Sequence, residues 1–431
     1  MENRNRIEVF IYPPGQTEAI PAGQYRYDPK LGAGVFTYSR EYLTSKDPLA
    51  VDPVNLPLHL ENKPAIVTLG QNRTGRDRLF GVLRDSIPDS WGRNLMTYLH
   101  GLPVRNPDPE KLLRLSNNHR VGNLDFREKT EEGEKPDVTL APVDWERLIS
   151  TAHNLERGII KPPERDSLLY LERTSLGGAR PKTLIFDGEC LWLAKLPSVT
   201  DIWNEARIEL ATMTLASRCG IAVPEMQIVT AGLGDILLSK RFDRIYTASG
   251  FLRTGYLSCQ TVLEGLGRPD LERSYLNYAD MLRTRFPKNW TRETARELFK
   301  RMCFNILVRN TDDHPLNHGV LHSHEGIKLA PAFDIFPEYS RHDQTDPFKL
   351  NMECGPKGKI ADWGNVLDGA GHFGLDKGQA ASTIRNMAAQ VNGWREIFDW
   401  AEVTEEDMIK IEGSFESPLH LEAQRLEPGG R

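Results

Sequence analysis

Apolar and polar positions run in short alternating stretches at the start of the chain and in longer, helically spaced stretches toward its end. Ile7-Glu8-Val9-Phe10-Ile11 has strand character, and the Gly, Pro and Asn clusters that follow punctuate further short elements. Asp89–Met96 reads as helical. Residues 127–137, REKTEEGEKPD, are charged and nearly devoid of apolar groups, which suits an exposed linker. A helix is predicted near 142–157, then short strands and hairpins to about 245. Ile202–Cys219 reads as a helix closed by Gly220. Beyond about 270 helical spacing dominates, as in Ala295, Leu298, Phe299, Met302, Ile306 and Leu307. The tail from Pro418 to Arg431 has weak periodicity and is expected to fray. This order predicts an α+β fold: a β-rich module over 1–130, a second region over 131–245, and a mostly helical lobe over 246–431.

Composition narrows the classes. With 431 residues the chain exceeds one ordinary core, and 39% hydrophobic with 26% charged residues is globular. The net charge of −6 argues against a protein that wraps nucleic acid with its whole surface. No apolar run approaches a membrane span, and the N-terminus lacks an apolar signal core. The five scattered cysteines, never spaced C-x-x-C, read as reduced thiols of a cytoplasmic protein.

Candidate chemistry begins at Ser175-Leu-Gly-Gly-Ala-Arg-Pro-Lys182. Small residues before a strand let backbone N–H groups approach an anion, although a Gly-Gly pair is more often a plain turn. Asp187-Gly188 predicts a two-residue hairpin turn in which Leu184 opposes Leu191 and Lys182 opposes Leu193. Lys182 and Lys195 then stand diagonally on one face, roughly 7–8 Å apart. Two ammonium groups beside a glycine loop suit a polyphosphate; singly, each reads as a surface lysine. Glu205 and Glu209, four apart on one helix face, are candidates to fix the Lys195 ammonium.

The helix starting near Arg292 runs into Asn310-Thr-Asp-Asp-His-Pro-Leu-Asn317. Asp312 and Asn317 have the D-x-x-x-x-N spacing of a kinase catalytic loop, in which the Asp accepts the nucleophile's proton and the Asn holds Mg²⁺. A hairpin around His324-Glu-Gly then delivers Asp334 where a kinase places its metal-binding aspartate. The histidines 314, 318, 322 and 324 allow a zinc reading, but Pro315 breaks the helical face that H-x₃-H needs, and no cysteine lies nearby. They read as polar loop residues.

In order, Ser175–Thr183, Leu193-Ala-Lys195-Leu-Pro, Lys240-Arg-Phe-Asp-Arg244, Asn310–Asn317 and Leu329–Asp334 resemble the HipA family, kinase toxins of bacterial type II toxin–antitoxin systems. Asp85-Ser-Ile-Pro-Asp-Ser-Trp-Gly-Arg93 also resembles that family's N-terminal subdomain. The resemblance implies a two-lobed kinase-like fold with ATP in the cleft. It places Gly177, Gly178, Ala179, Arg180, Pro181 and Lys182 in the phosphate loop, Lys195 on the α/β-phosphates, and Lys240, Arg241 and Phe242 at the adenine. It makes Asp312 the catalytic base, His314 a nucleotide contact, Asn317 and Asp334 the Mg²⁺ ligands, and Ser175 a site of autophosphorylation. Asp313 stands where glycine is common, so either aspartate could be argued; the spacing to Asn317 favours Asp312.

It further implies a protein substrate such as glutamyl-tRNA synthetase or another aminoacyl-tRNA synthetase, and a helix-turn-helix antitoxin through which alone the chain would reach DNA. Alternatives are a small-molecule kinase and a nucleotide-binding transcriptional co-regulator without catalysis. The intact Lys195, Asp312, Asn317 and Asp334 set argues against the last.

Overall fold

The computed structural model describes residues 6–427 apart from 60, 62, 69–77, 89, 106, 117–118, 128–138, 141–142, 160–167, 169–170, 172–177, 269–272 and 340–347. The expected linker at 127–137, apart from Arg127, and Ser175 and Gly177 therefore lie outside the described residues. The chain forms two compact units. The first contains residues 1–200, 230–257 and 321–325; the second contains 201–229, 258–320 and 326–431.

In the first unit, β1 (Arg6–Ile11), β2 (Ile20–Asp28), β3 (Ala33–Tyr38), β4 (Ala65–Thr68) and β5 (Leu124–Arg127) form an antiparallel sheet in the order β4-β3-β2-β1-β5. Period-two alternation drives β1: Ile7, Val9 and Ile11 are buried, with Glu8 and Phe10 between them less so. A second sheet sets β6 (Thr139–Leu140) parallel to β7 (Lys182–Phe186), with β8 (Leu191–Lys195) and strand Gly234–Lys240 following antiparallel. Leu184, Phe186, Leu191 and Phe251 form a buried cluster beside it.

A buried ionic knot joins the two sheets. Asp243 accepts from the Gly122 N–H (2.8 Å), Arg241 (2.7 Å) and Arg244 (2.9 Å). Arg241 also donates to the His119 carbonyl (3.0 Å), and Arg244 to those of Arg120 (2.6 Å) and Gly122 (2.7 Å). Burial opposes the charge on Asp243, but the Arg241 and Arg244 guanidiniums outweigh it and hold the carboxyl well below the usual carboxylate range.

The hairpin between β7 and β8 differs from the two-residue turn expected at Asp187-Gly188. The pairs are Phe186↔Leu191, Leu184↔Leu193 and Lys182↔Lys195, so residues 187–190 form a four-residue loop. The Asp187 side chain is the reason. It accepts the N–H groups of Glu189 (2.8 Å) and Cys190 (2.7 Å) and the Trp192 indole N–H (2.7 Å), drawing two further residues into the turn. Lys182 and Lys195 consequently stand directly opposite each other rather than diagonally.

The second unit is mostly helical. Thr291 caps the helix Arg292–Leu307 by accepting the Thr294 N–H, and the six apolar positions named for it are all buried. Helix Glu205–Arg218 is capped by Asn204 and ends at Gly220, whose φ of 74° is the left-handed stop. The tail does not fray as expected: Pro418–Arg425 is a helix, started by Ser417 at the N-cap and Pro418 at the first position. Its His420 and Ala423 are buried, and Trp363 donates to the Leu419 carbonyl (2.7 Å). Among the described residues no helix is long and apolar enough to cross a membrane.

Candidate active site

Helix Arg292–Leu307 ends unusually. Arg309 takes the left-handed conformation, φ 52°, where glycine is the common choice. Its guanidinium reaches Glu338 (3.3 Å) and lies over the Phe348 ring (4.5 Å), contacts that offset the backbone strain. The reversal lets the Asn310 N–H return to the Asn305 carbonyl (2.8 Å) and turns residues 311–318 away from the helix axis.

Asp312 and Asn317 occupy the two ends of that turn. The Asp312 N–H donates to the Asn310 side chain (3.2 Å), and the Asn317 amide donates to the Asp312 carbonyl (3.1 Å). The Asn317 N–H bonds the His314 carbonyl (2.9 Å) within a short 3₁₀ turn, Pro315–Asn317. The His314 Nδ1 is buried without a hydrogen-bond partner among the described residues, so the site holds a polar atom its own chain does not satisfy.

The two adjacent aspartates have opposite environments. Asp312 is exposed as a residue, although its carboxyl is partly shielded from solvent. Asp313 is 1% exposed and fully engaged: its carboxylate accepts from the Tyr275 hydroxyl (2.7 Å) and pairs with His318 Nε2 (2.6 Å). The Tyr275 hydroxyl is pushed well above its ordinary pKa, first by burial and then by the Asp313 charge, and so stays a donor. Of the two carboxylates, Asp312 is the one left without a hydrogen-bond partner among the described contacts of the pair. Its carboxyl is raised above the usual range by partial burial and by Asp334 and Asp313, against the opposing influence of His314.

Asp334 follows the strands Gly319–Ser323 and Gly326–Leu329, brought back when the Ala330 N–H reaches the Gly319 carbonyl (2.9 Å). Its φ is 62°, a conformation aspartate tolerates better than most residues but still at a cost. Asn317 and Asp334 line one small cleft with Asn305, Asn310, Asp313 and His318. Arg301 lines the same cleft, and an amide with a carboxylate are the hard oxygen donors Mg²⁺ accepts. Among the described residues no three His, Cys, Asp or Glu side chains converge as a metal cage. An amide beside a carboxylate is a donor pair of the sparse kind that Mg²⁺ shares with phosphate.

In the first unit, Gly178 adopts φ 114°, and a Cβ there would come within 2.1 Å of the Lys182 ammonium nitrogen. The positive φ is what favours glycine, since the flexible lysine tip could move aside. The Gly178 carbonyl accepts the Trp91 N–H (3.2 Å), and that of Pro181 accepts the Leu196 N–H (2.9 Å), tying the loop at both ends. Ala179 is exposed, Arg180 and Lys195 are half-buried, and Lys182 is buried. Lys240 pairs with Trp192 at the far end of the neighbouring strand. The Arg241 guanidinium is engaged in the Asp243 knot, while the half-buried Phe242 ring lies 6.3 Å from Tyr256. In the second unit Glu209 is buried and Glu205 half-buried. The sequence pattern gave no hint of Tyr275, and His318, expected as a polar loop residue, is 5% exposed.

The model of the HipA-like C-terminal domain family matches residues 174–394, just over half of the chain. Two relatives from Sinorhizobium fredii carry kinase names. Y4mE is 25% identical over 283 residues, covering 60% of this chain and 63% of its own. Y4dM is 28% identical over 175 residues, covering 37% and 41%. The chain thus spans less than two thirds of either relative. Shewanella oneidensis HipA, solved with HipB and operator DNA as a toxin–antitoxin system, superposes with a TM-score of 0.67 over 97% of both chains at 16% identity. At that identity the match speaks for the fold, which is the kinase-like α+β fold.

Proposed function

The chain belongs to the family of HipA-like C-terminal domains, and on that premise we propose that it is an ATP- and Mg²⁺-dependent kinase acting on a serine or threonine of a protein. The observation that carries this reading is the catalytic turn. Asp312 stands at one end with its carboxyl uncommitted, Asn317 stands at the other, and Asp334 shares the Asn317 cleft in a strained conformation.

In this reading Asp312 accepts the proton of the acceptor hydroxyl as its oxygen bonds the γ-phosphorus, and the bond to the leaving ADP oxygen breaks. Asn317 and Asp334 hold Mg²⁺, which when bound neutralises charge on the phosphates. Lys182, Lys195 and the backbone N–H groups of residues 177–180 hold the phosphates, with His314 as a further nucleotide contact. The Phe242 ring and the main chain of Lys240 serve the adenine. The protein substrate is a translation factor of the aminoacyl-tRNA synthetase kind, with the glutamyl enzyme the first to test. A helix-turn-helix antitoxin restrains the kinase and carries it to DNA; the partnership of HipA with HipB and operator DNA supports that part. Phosphorylation of Ser175 adds roughly −1.5 to −2 charges beside the phosphate loop and turns the enzyme off.

The test is incubation of the purified chain with γ-labelled ATP and cell lysate, with Mg²⁺ or with EDTA. Label on serine or threonine of a discrete protein, lost in EDTA, is expected. Label confined to small molecules, or no ATP consumption, overturns the reading. Mass spectrometry of the chain alone after ATP and Mg²⁺ checks Ser175: unmodified serine, or full ATP affinity once it is phosphorylated, removes the switch.

A further inference from the structure

Behind the catalytic turn lies a closed circuit of buried side chains. Asp313 follows the proposed base and His318 follows the proposed metal ligand, so their 2.6 Å bond joins the two ends of the 312–317 segment from its buried side. Both also meet the Tyr275 hydroxyl, at 2.7 and 3.0 Å. Tyr275 opens the helix Tyr275–Arg285, and its own N–H is fixed to the Glu353 carbonyl (3.0 Å). The Asn305 amide donates to the Tyr275 oxygen (3.0 Å), the Asn310 amide to Asn305 (3.0 Å), and the Asp312 N–H to Asn310 (3.2 Å). The path from the Asp312 main chain through Asn310, Asn305 and Tyr275 thus returns to Asp313.

One assignment of the protons closes the circuit with Asp313 as the acceptor. The single Tyr275 proton goes to Asp313 while its oxygen accepts from Asn305. His318 must then bring its own proton on Nε2 to the other Asp313 oxygen, which leaves Nδ1 buried and without a partner. Two donors converge on Asp313, so only an acceptor on both oxygens fits. An asparagine there would face a donor with a donor.

We propose that Tyr275, Asp313 and His318 are positioning residues, a clamp that fixes the separation and aim of Asp312 and Asn317 for phosphoryl transfer. The inference rests on the kinase reading of the same turn. None of the three is assigned contact with the reacting atoms; they act through the turn, whose two working residues are set by what lies behind them. A clamp of this kind governs the rate of transfer and leaves nucleotide affinity to the lysines and glycine loop.

The experiment compares Tyr275→Phe, His318→Leu and His318→Gln with the wild-type chain. It measures kcat, affinity for a non-hydrolysable ATP analogue, melting temperature, and hydrogen exchange of the amides of 311–319. Glutamine can present an N–H near the place of Nε2, whereas leucine cannot. Tyr275→Phe and His318→Leu are expected to lower kcat about 10–100-fold with analogue affinity unchanged, and His318→Gln to recover most of that loss. Exchange should quicken in 311–319 and stay as in wild type along the helix Arg292–Leu307. Wild-type kcat in Tyr275→Phe, equal loss of rate and nucleotide affinity, or equal rates for the leucine and glutamine variants would overturn the clamp. If the wild-type chain transfers no phosphoryl group, the kinase reading fails separately and exchange decides the clamp: local quickening supports it, and its absence overturns it. If Tyr275→Phe does not fold, the two His318 variants carry the same comparison.

Discussion

Asp312 and Asp313 differ by one position and are opposite in fate. The D-x-x-x-x-N spacing to Asn317 pointed to Asp312 in the sequence, but burial supplies the physical reason: Asp313 has both oxygens committed and Asp312 does not. The Tyr275–His318–Asp313 contacts could not be read along the chain, since Tyr275 lies 38 and 43 residues from its two partners. Asp334 also combines two roles. Alanine at 334 removes the proposed metal ligand and meets a cost of up to about 1–2 kcal/mol in the left-handed conformation, whereas glycine removes the carboxylate without that cost. Both variants are expected to raise the Mg²⁺ requirement, with Asp334→Gly melting at the higher temperature. Activity against Mg²⁺ concentration and thermal melts of the pair check this, and equal melting temperatures would remove the strain argument.

At the scale of elements, the helices with side-chain caps were the most legible, because Asn204, Thr291 and the apolar spacing behind them are local signals. The β7–β8 register was not, since the loop is set by three bonds to one Asp187 side chain, which outweigh the Asp-Gly preference. The tail helix was missed because eight residues carry too little periodicity; its cap and its contact with Trp363 hold it. Two predictions belong here. Ser417→Ala should cost about 1 kcal/mol of stability by denaturant titration. Gly178→Ala places a Cβ against the Lys182 ammonium at φ 114°. If that contact and strain cost about 1.4 kcal/mol of nucleotide binding, ATP affinity falls about tenfold, which calorimetry with an ATP analogue measures.

Over the whole molecule, the β-rich beginning and helical end were legible as α+β, but the two compact units are interleaved, with 230–257 and 321–325 returning to the first. No local pattern marks such a return; it is set by strand pairing and by the Asp243 knot. Removing the carboxylate leaves Arg241 and Arg244 buried and uncompensated, so Asp243→Ala is expected to cost roughly 3–5 kcal/mol. Because the folded carboxyl lies below its unfolded value, its contribution is present above about pH 4 and is lost as pH falls through the folded value. The melting-temperature gap between the wild-type and Asp243→Asn chains should therefore be wide at neutral pH and narrow in acid. A gap that widens in acid would contradict the ionic account. The reading to be tested is transfer of the γ-phosphoryl group of ATP to a protein hydroxyl, with Asp312 as the base. Its most direct measurement sets the wild-type, Asp312→Asn and Tyr275→Phe chains side by side with γ-labelled ATP, Mg²⁺ and lysate, each checked for its melting temperature. The account predicts a labelled protein band with the wild-type chain, a loss of about 100-fold or more for Asp312→Asn at an unchanged melting temperature, and a smaller loss for Tyr275→Phe. Labelling by Asp312→Asn at the wild-type rate would contradict it.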